Sequence, residues 1–419
     1  KFRILSLLLV LVLVTAVILT GCKTTDPGPA PTPAPVPDPT SAPAPTEEPA
    51  PTTAPYAWPP SVDIIATPNT GEAQVVSYGA ILEASTGMQT NVVPESKAAL
   101  RFKAVKEGEF LMTAAGQADF ANNIEALSSY ATEAGGPWQV RVVWPFTNGF
   151  SGYIVKGDGP IYTPADLKAG MKIAEFATLR SKQYAALLAW AGLEDGDVEW
   201  VKISSYAAQM EAITEGRVDV AWAFYWSSTL AGVAAAPGGV RPLELPFDTE
   251  PEKAAAVFDV YPTADFGIVQ SSAVPEFVGK RAYQGLTWIV TRDDADTDLI
   301  YNLVKWFDEN HDKYEAANQN NVYMTLENLV YTAESSFVPL HDGAIKYLKE
   351  KDLWTATMQA NYEASVASVS KFMAAYEKAI AAAKAQKIAI DPTNPDWLAL
   401  WEDTKTAAGL EPFRTRLAQ

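Results

Sequence analysis

Apolar and polar positions divide the chain into three stretches of different pattern. From Ile4 to Leu19 the chain is almost unbroken hydrocarbon, preceded by Lys1 and Arg3. From Thr24 to Pro60 apolar residues never gather, and proline alternates with alanine, threonine and acids. From Ser61 onward, short branched runs alternate with stretches of helical period. Val62–Ala66 reads as a buried strand closed by Thr67-Pro68-Asn69-Thr70-Gly71. A helix over Glu72–Ser85 follows, with Ala73, Val76, Ala80 and Ile81 on one stripe. Then come a strand at Thr90–Val93, a helix at Ser96–Lys106, and strands at Val140–Trp144 and Tyr153–Val155. Thr163 caps a short helix with Pro164 at its first position. Met171–Glu175 is a strand, and the helix Thr178–Trp190 is stopped by Gly192. A strand at Val198–Ile203, a helix at Ser205–Thr214, a strand at Val218–Ala223 and a helix from Ser227 complete the series. Strands alternating with helices predict an α/β fold, a mostly parallel sheet with helices on both faces.

Beyond Thr297 helical spacing takes over, at Thr297–His311, Asn321–Tyr331, His341–Lys351, Trp354–Lys384 and a last helix after Ile388. One echo runs through the body: Gly116-Gln117-Ala118-Asp119-Phe120-Ala121 and Gly216-Arg217-Val218-Asp219-Val220-Ala221 share a frame. In both, glycine is read as ending a helix and Asp as bonding local backbone where a strand begins. The simplest source of such an echo is a pair of similar lobes, each with its own sheet.

The first stretch has the charges, apolar core and small residues of a secretory signal, and it is shorter than the roughly 20 apolar residues of a membrane span. Leu19-Thr20-Gly21-Cys22 resembles a bacterial lipobox, which implies cleavage before Cys22 and lipid on its sulfur; a signal anchor with a stray cysteine is the alternative. The proline-rich stretch cannot bury a core and favours extended polyproline II, which suits a spacer beside an anchor; docking motifs are its other use. With Cys22, the single cysteine, lipidated, no disulfide is available.

The formal net charge of −18 excludes nucleic acid and anionic lipid as electrostatic partners. Signatures of catalysis are missing: the two histidines, His311 and His341, lie far apart, and no nucleophile elbow, phosphate loop or metal-ligand spacing occurs. No enzyme activity, metal or cofactor is expected. Three helix starts after strands stand out instead, at Thr67–Gln74, Pro94–Lys97 and Glu175–Ser181. In open α/β sheets ligands lie beside such helix N-termini, whose free N–H groups hold anions. The same turns must also cap their helices.

Phe337-Val338-Pro339-Leu340-His341-Asp342-Gly343 and its continuation to Lys351 resemble a C-terminal signature of the TAXI family, the solute-binding proteins of TRAP (tripartite ATP-independent periplasmic) transporters. Pro164–Ile173, Ala186–Leu193 and Gly216–Ala221 are similar to further family segments, in the same order. The resemblance, from about residue 62 to 353, implies a periplasmic-binding-protein-like type II fold: two α/β lobes on a hinge, a ligand between them, and delivery to an ion-driven membrane carrier. It divides the chain into a signal peptide (1–21), a lipidated linker (22–60), lobe I (61–158), lobe II (159–260), a return to lobe I (261–353) and a helical extension (354–419). A monomer on the outer face of a membrane or in the periplasm is expected. For Pro339–Lys351 itself, a proline turn into a capped helix is explanation enough.

The sequence departs from the family at the ligand turns. The first, usually glycine-rich with tyrosines, carries Asn69, Thr70, Glu72 and Gln74; the second, usually Gly-Gly-Ser, carries Glu95 and Ser96; the third carries Glu175, Thr178 and Arg180. Trp222, Tyr225 and Trp226 stand at the expected cleft edge of lobe II, with Trp144 opposite. Acids and aromatic faces would hold a cation, and Arg180 a carboxylate, so the expected solute is an amino acid, a betaine-like zwitterion or an organic acid. A tethered sensor of the same fold and an enzyme on the same scaffold are the rival readings, and the glutamates have a bland use as helix caps.

Overall fold

The computed structural model describes residues 56–175 and 182–414. The signal, Cys22, most of the linker, Thr178 and Arg180 therefore lie outside the described residues. No helix among those described is long and apolar enough to cross a membrane.

The folded body opens with β1 (Ser61–Ala66), α1 (Thr70–Thr86), β2 (Gln89–Pro94), α2 (Ala98–Lys106), β3 (Met112–Gly116) and α3 (Gln117–Ile124), followed by the long β4 (Val140–Lys156). Next come β5 (Lys172–Glu175), α4 (Gln183–Ala191), β6 (Glu199–Lys202), α5 (Tyr206–Thr214), β7 (Ala221–Phe224) and α6 (Ser228–Ala234). The chain continues through β8 (Val240–Pro242), α7 (Pro251–Val260), β9 (Phe266–Ile268) and a second long strand, β10 (Arg281–Arg292). It ends with α8 (Thr297–Glu309), a single turn α9 (His311–Tyr314), α10 (Leu326–Ser335), α11 (Asp342–Glu350), α12 (Ala356–Gln386) and α13 (Pro395–Ala407).

Two groups of strands pair in parallel, as alternation with helices requires. β1 lies between β2 and β3, both parallel to it, and β5 pairs in parallel with β6. Ile173 of β5 also bridges in parallel to Val220, just before β7. The long strands join these groups: β10 runs antiparallel to β3 and β4, and β4 antiparallel to β7 and β8.

Burial shows why this makes two lobes. Along β4, Val140, Val142, Trp144 and Phe146 sit in one large core with β1, α1 and α2. Further on, Tyr153 and Val155 enter a second core while Phe150 and Ile154 enter a third, the alternation of a strand buried on both faces. β10 does the same in reverse: Ala282 and Tyr283 belong to the later cores, Leu286 and Trp288 to the first. The changeover falls between Phe146 and Phe150 and between Tyr283 and Leu286, where Gly149 pairs with Gly285.

Three expectations change. β4 is one strand rather than two, since Thr147-Asn148-Gly149 interrupts the apolar pattern without breaking the ladder. The buried face of α1 is Gln74, Val75, Tyr78 and Leu82, so the stripe with Val76, which is exposed, was misplaced by one position. The two echo segments also differ. Gly216 has φ +71° after α5, whereas Gly116 has φ −93° and ends β3, and its N–H donates to Asp119 Oδ2 in the first turn of α3. The C-terminal helices complete the first core: Phe372, Tyr376, Trp397 and Trp401 are buried in it, and the two indoles donate to Ala131 O and Glu125 O.

Candidate functional site

The order β2-β1-β3 reverses direction between β1 and β3, and a crevice opens at the carboxyl ends of these two strands. A cavity of about 740 Å³ lies there, within the range of about 300–1,000 Å³ common for small-molecule sites. Its floor is Thr67 and Gly71 after β1 and Gly116 at the end of β3; its back wall is Phe146–Ser151 of β4 with Gly285 and Thr287 of β10. Phe224 at the end of β7 and Trp226 just beyond it, with Ser271–Ala273, close it from the other lobe. Gln319, Asn320 and Tyr323 form its flank, and Tyr323 donates a hydrogen bond of 2.6 Å to Ser271 Oγ.

The long strands are fixed where they pass the cavity. Thr147 and Thr287 share a hydroxyl contact of 2.6 Å, and Thr147 N donates to Thr287 Oγ1. A Cβ on Gly149 would lie 2.8 Å from the Trp226 ring, so the glycine lets that indole rest against the strand. Trp226 is 57% exposed and forms, with Phe224 and Tyr206, a run of ring contacts at the lip.

Of the twelve ligand residues named from sequence, Thr70, Gln74 and Trp226 line this cavity. Thr178 and Arg180 lie outside the described residues, and the other seven are not in its lining. Asn69 caps α1 with φ +65°, and its N–H faces Glu72 Oε2 at 3.4 Å. Glu95 Oε1 accepts from Lys97 N at 2.7 Å, and Ser96 is exposed beside it. These two glutamates serve the helix starts they precede or enter, as the positive end of a helix favours. Glu175 ends β5, where its carbonyl accepts from Ile203 N. Trp222 is packed between Tyr153 and Tyr283, and Tyr225 is fully buried against Phe277, its hydroxyl held neutral by burial that raises its pKa. On a strand, neighbours alternate faces, so an aromatic run cannot all face one cleft. Trp144 is likewise core, stacked on Phe307 and donating to Met324 O.

Sequence reasoning missed Arg101, Asp119 and Asn148. Arg101 and Asp119 are the charged side chains among the described lining residues. Arg101 lies on the buried face of α2 between Ala98 and Val105, and a cation on an apolar stripe was the available signal. Its Nη1 donates to Glu95 O at 2.8 Å and Ser96 O at 3.2 Å. Both oxygens of Asp119 are engaged, Oδ2 by Gly116 N at 3.1 Å and Oδ1 by the Tyr130 hydroxyl at 3.2 Å. Asn148 projects from the changeover point of β4.

Comparison with known proteins gives a family and a set of remote structural neighbours. Residues 71–351 match the NMT1-like family. No curated protein matches the chain. Among solved structures, the periplasmic aliphatic sulphonate binding protein SsuA from Escherichia coli is 14% identical, with 74% of this chain and 86% of that one covered and a TM-score of 0.37. A periplasmic sulfonate-binding protein of a sulfonate ABC transporter from Methylobacillus flagellatus is 17% identical, with coverages of 86% and 98% and a TM-score of 0.39. The L-cystine solute receptor of Neisseria gonorrhoeae, in an unliganded open conformation, is 13% identical, with coverages of 63% and 94% and a TM-score of 0.35.

Proposed function

The chain belongs to the NMT1-like family, and from that premise we propose that it is an extracytoplasmic receptor that closes two lobes over one small polar organic solute and hands it, chemically unchanged, to a membrane carrier. The observation that carries this reading is the cavity of about 740 Å³ at the reversal point of the strand order, bounded by residues on both sides of the changeover in β4 and β10. Two strands crossing from one lobe to the other, with glycines paired at the crossing, suit hinge closure, in which the bound guest shifts the population toward a shut form.

The solute class is an amino acid, a betaine-like zwitterion or an organic acid. The partner in this reading is a TRAP-type carrier of the TAXI kind, on the resemblance carried by Pro164–Ile173, Ala186–Leu193, Gly216–Ala221 and Phe337–Lys351 alone. The receptor acts as a monomer tethered through lipid on Cys22, with the proline-rich linker as its leash.

Small-angle scattering of the full chain tests closure. Its radius of gyration falls when the right solute is added, and native mass spectrometry of the gently purified protein retains that solute. No compaction across a broad set of polar metabolites, with nothing retained, refutes the receptor. The Cys22→Ala variant tests the tether separately by leaving the membrane fraction.

A further inference from the structure

The cavity wall holds three buried polar side chains with an atom that finds no partner among the described residues: Arg101 Nε, Gln74 Oε1 and Asn148 Oδ1. Their exposures are 5%, 0% and 3%. Buried polar atoms are nearly always satisfied, and three of the eleven exceptions among the described residues gather in this one cavity, where a solute can partner them. The orientations of Gln74 and Arg101 are not arbitrary. Gln74 Nε2 donates to Phe146 O at 2.7 Å, so the other end of that amide must be the acceptor oxygen. Arg101 is held by two carbonyls through Nη1 alone, which leaves the rest of its fork without a recorded partner among the described residues. Asp119 of the same lining makes no ion pair with it among the described residues, its oxygens accepting instead from Gly116 N and the Tyr130 hydroxyl.

We propose that Arg101 is the anion-binding residue of this cleft, and that Gln74 Oε1 and Asn148 Oδ1 accept hydrogen bonds from an N–H or O–H group on the same solute. This rests on the receptor reading above and narrows it. An acidic group seats on the guanidinium fork, whose planar donors match a carboxylate, sulfonate or phosphonate. A donor group, ammonium or hydroxyl, meets the two amide oxygens. A quaternary ammonium has no N–H to give, so betaines fall outside the class while amino acids and hydroxy acids fall within it. All three side chains come from the first lobe, on α1, α2 and the near half of β4, so the solute docks there first and Phe224 and Trp226 cover it on closure.

The test uses the full chain and three defined mixtures, read by thermal shift and then by titration of single compounds. The first holds amino acids and hydroxy acids, the second their N-trimethyl counterparts, the third amines and polyols without an acidic group. The expected result is a raised melting temperature with the first mixture alone, and a loss of about 10- to 100-fold in affinity in Arg101→Gln, the effect of removing a hydrogen bond to a charged group. Single titrations then separate ammonium from hydroxyl as the donor. Should Arg101→Gln fold poorly, Asn148→Leu keeps the volume, removes one of the two acceptor oxygens, and weakens binding of the first mixture about tenfold. Binding of the second or third mixture, or binding of the first that survives either substitution at full strength, overturns the proposal and leaves the receptor standing. A flat response to all three mixtures overturns the receptor itself.

Discussion

Gly343→Ala asks whether the Pro-Leu-His-Asp-Gly signature serves packing or ligand. Gly343 is the second residue of α11, and its N–H donates to His341 Nδ1 at 3.1 Å. A Cβ there would lie 2.5 Å from Tyr301 N, 2.7 Å from Thr297 O and 2.9 Å from Ile300 Cβ. Two of these are backbone atoms of α8, so no side-chain rotation relieves the overlap and α11 must retreat from its neighbour. That retreat loosens Ile300, Tyr347 and Leu348, all fully buried. Overpacking of this kind costs about 1–3 kcal/mol. Replacing glycine in a helix returns at most about 1 kcal/mol, and less in a first turn. The net expectation is a loss of about 1–2 kcal/mol, or several degrees in melting temperature at about 2–4 °C per kcal/mol. Gly232→Ala in α6 is the matched control, since nothing lies within 4 Å of its Cβ and φ is ordinary; it should gain about 0.5–1 kcal/mol. Thermal and urea unfolding followed by far-UV circular dichroism measures both, and solute affinity should not change in either. If Gly343→Ala melts with the wild type, or loses affinity while remaining as stable, the packing account of this signature is wrong.

Trp226→Ala should weaken solute binding by about 0.5–1.5 kcal/mol if its ring covers the guest, with little change in stability because the side chain is largely exposed; titration of any bound solute checks it. Trp401→Phe removes the 2.7 Å bond from its Nε1 to Glu125 O and should destabilise the first lobe by about 1–2 kcal/mol in urea unfolding, which tests whether the C-terminal helices belong to that core. The pKa of buried His341 is lowered, first by desolvation and also by Arg141, against the opposing pull of Asp342 and Asp293. The unfolded chain therefore binds the proton more readily, so stability is full above about pH 6.5 and falls as pH drops below it, by at most about 1.4 kcal/mol per pH unit. His341→Asn, which can still accept from Gly343 N, should flatten the slope of melting temperature between pH 7 and 5 relative to wild type.

Most helices and the short parallel strands were legible because each obeys a local rule: a branched run closed by turn residues, or a stripe ended by glycine. β10 was not read at all. Its centre, Tyr283-Gln284-Gly285-Leu286-Thr287, carries glycine and glutamine where a central strand should be apolar, because this is where the strand leaves one core for another and borders the cavity. The same cause split β4 at Thr147-Asn148-Gly149. Local pattern fails at the changeover because residues that line a polar cavity and carry the strand from one core to another cannot also look like core.

The site shows the converse error. Glutamates were conspicuous at the helix starts and suggested a cage for a cation, yet Glu72 and Glu95 face the N–H groups of Asn69 and Lys97. An acid near a helix N-terminus is favoured by the helix itself and says little about what binds nearby. Arg101 on the buried face of α2 also has a local use, bonding Glu95 O and Ser96 O through Nη1, but that use leaves its Nε without a partner among the described residues, and burying an unsatisfied donor is costly. The net charge of −18 does not decide the matter either, because exposed charges beyond about 10 Å are largely screened at moderate ionic strength, whereas a guanidinium in the cleft wall acts at contact. The informative charge in this chain is the one whose local bonds leave part of its donor set unused.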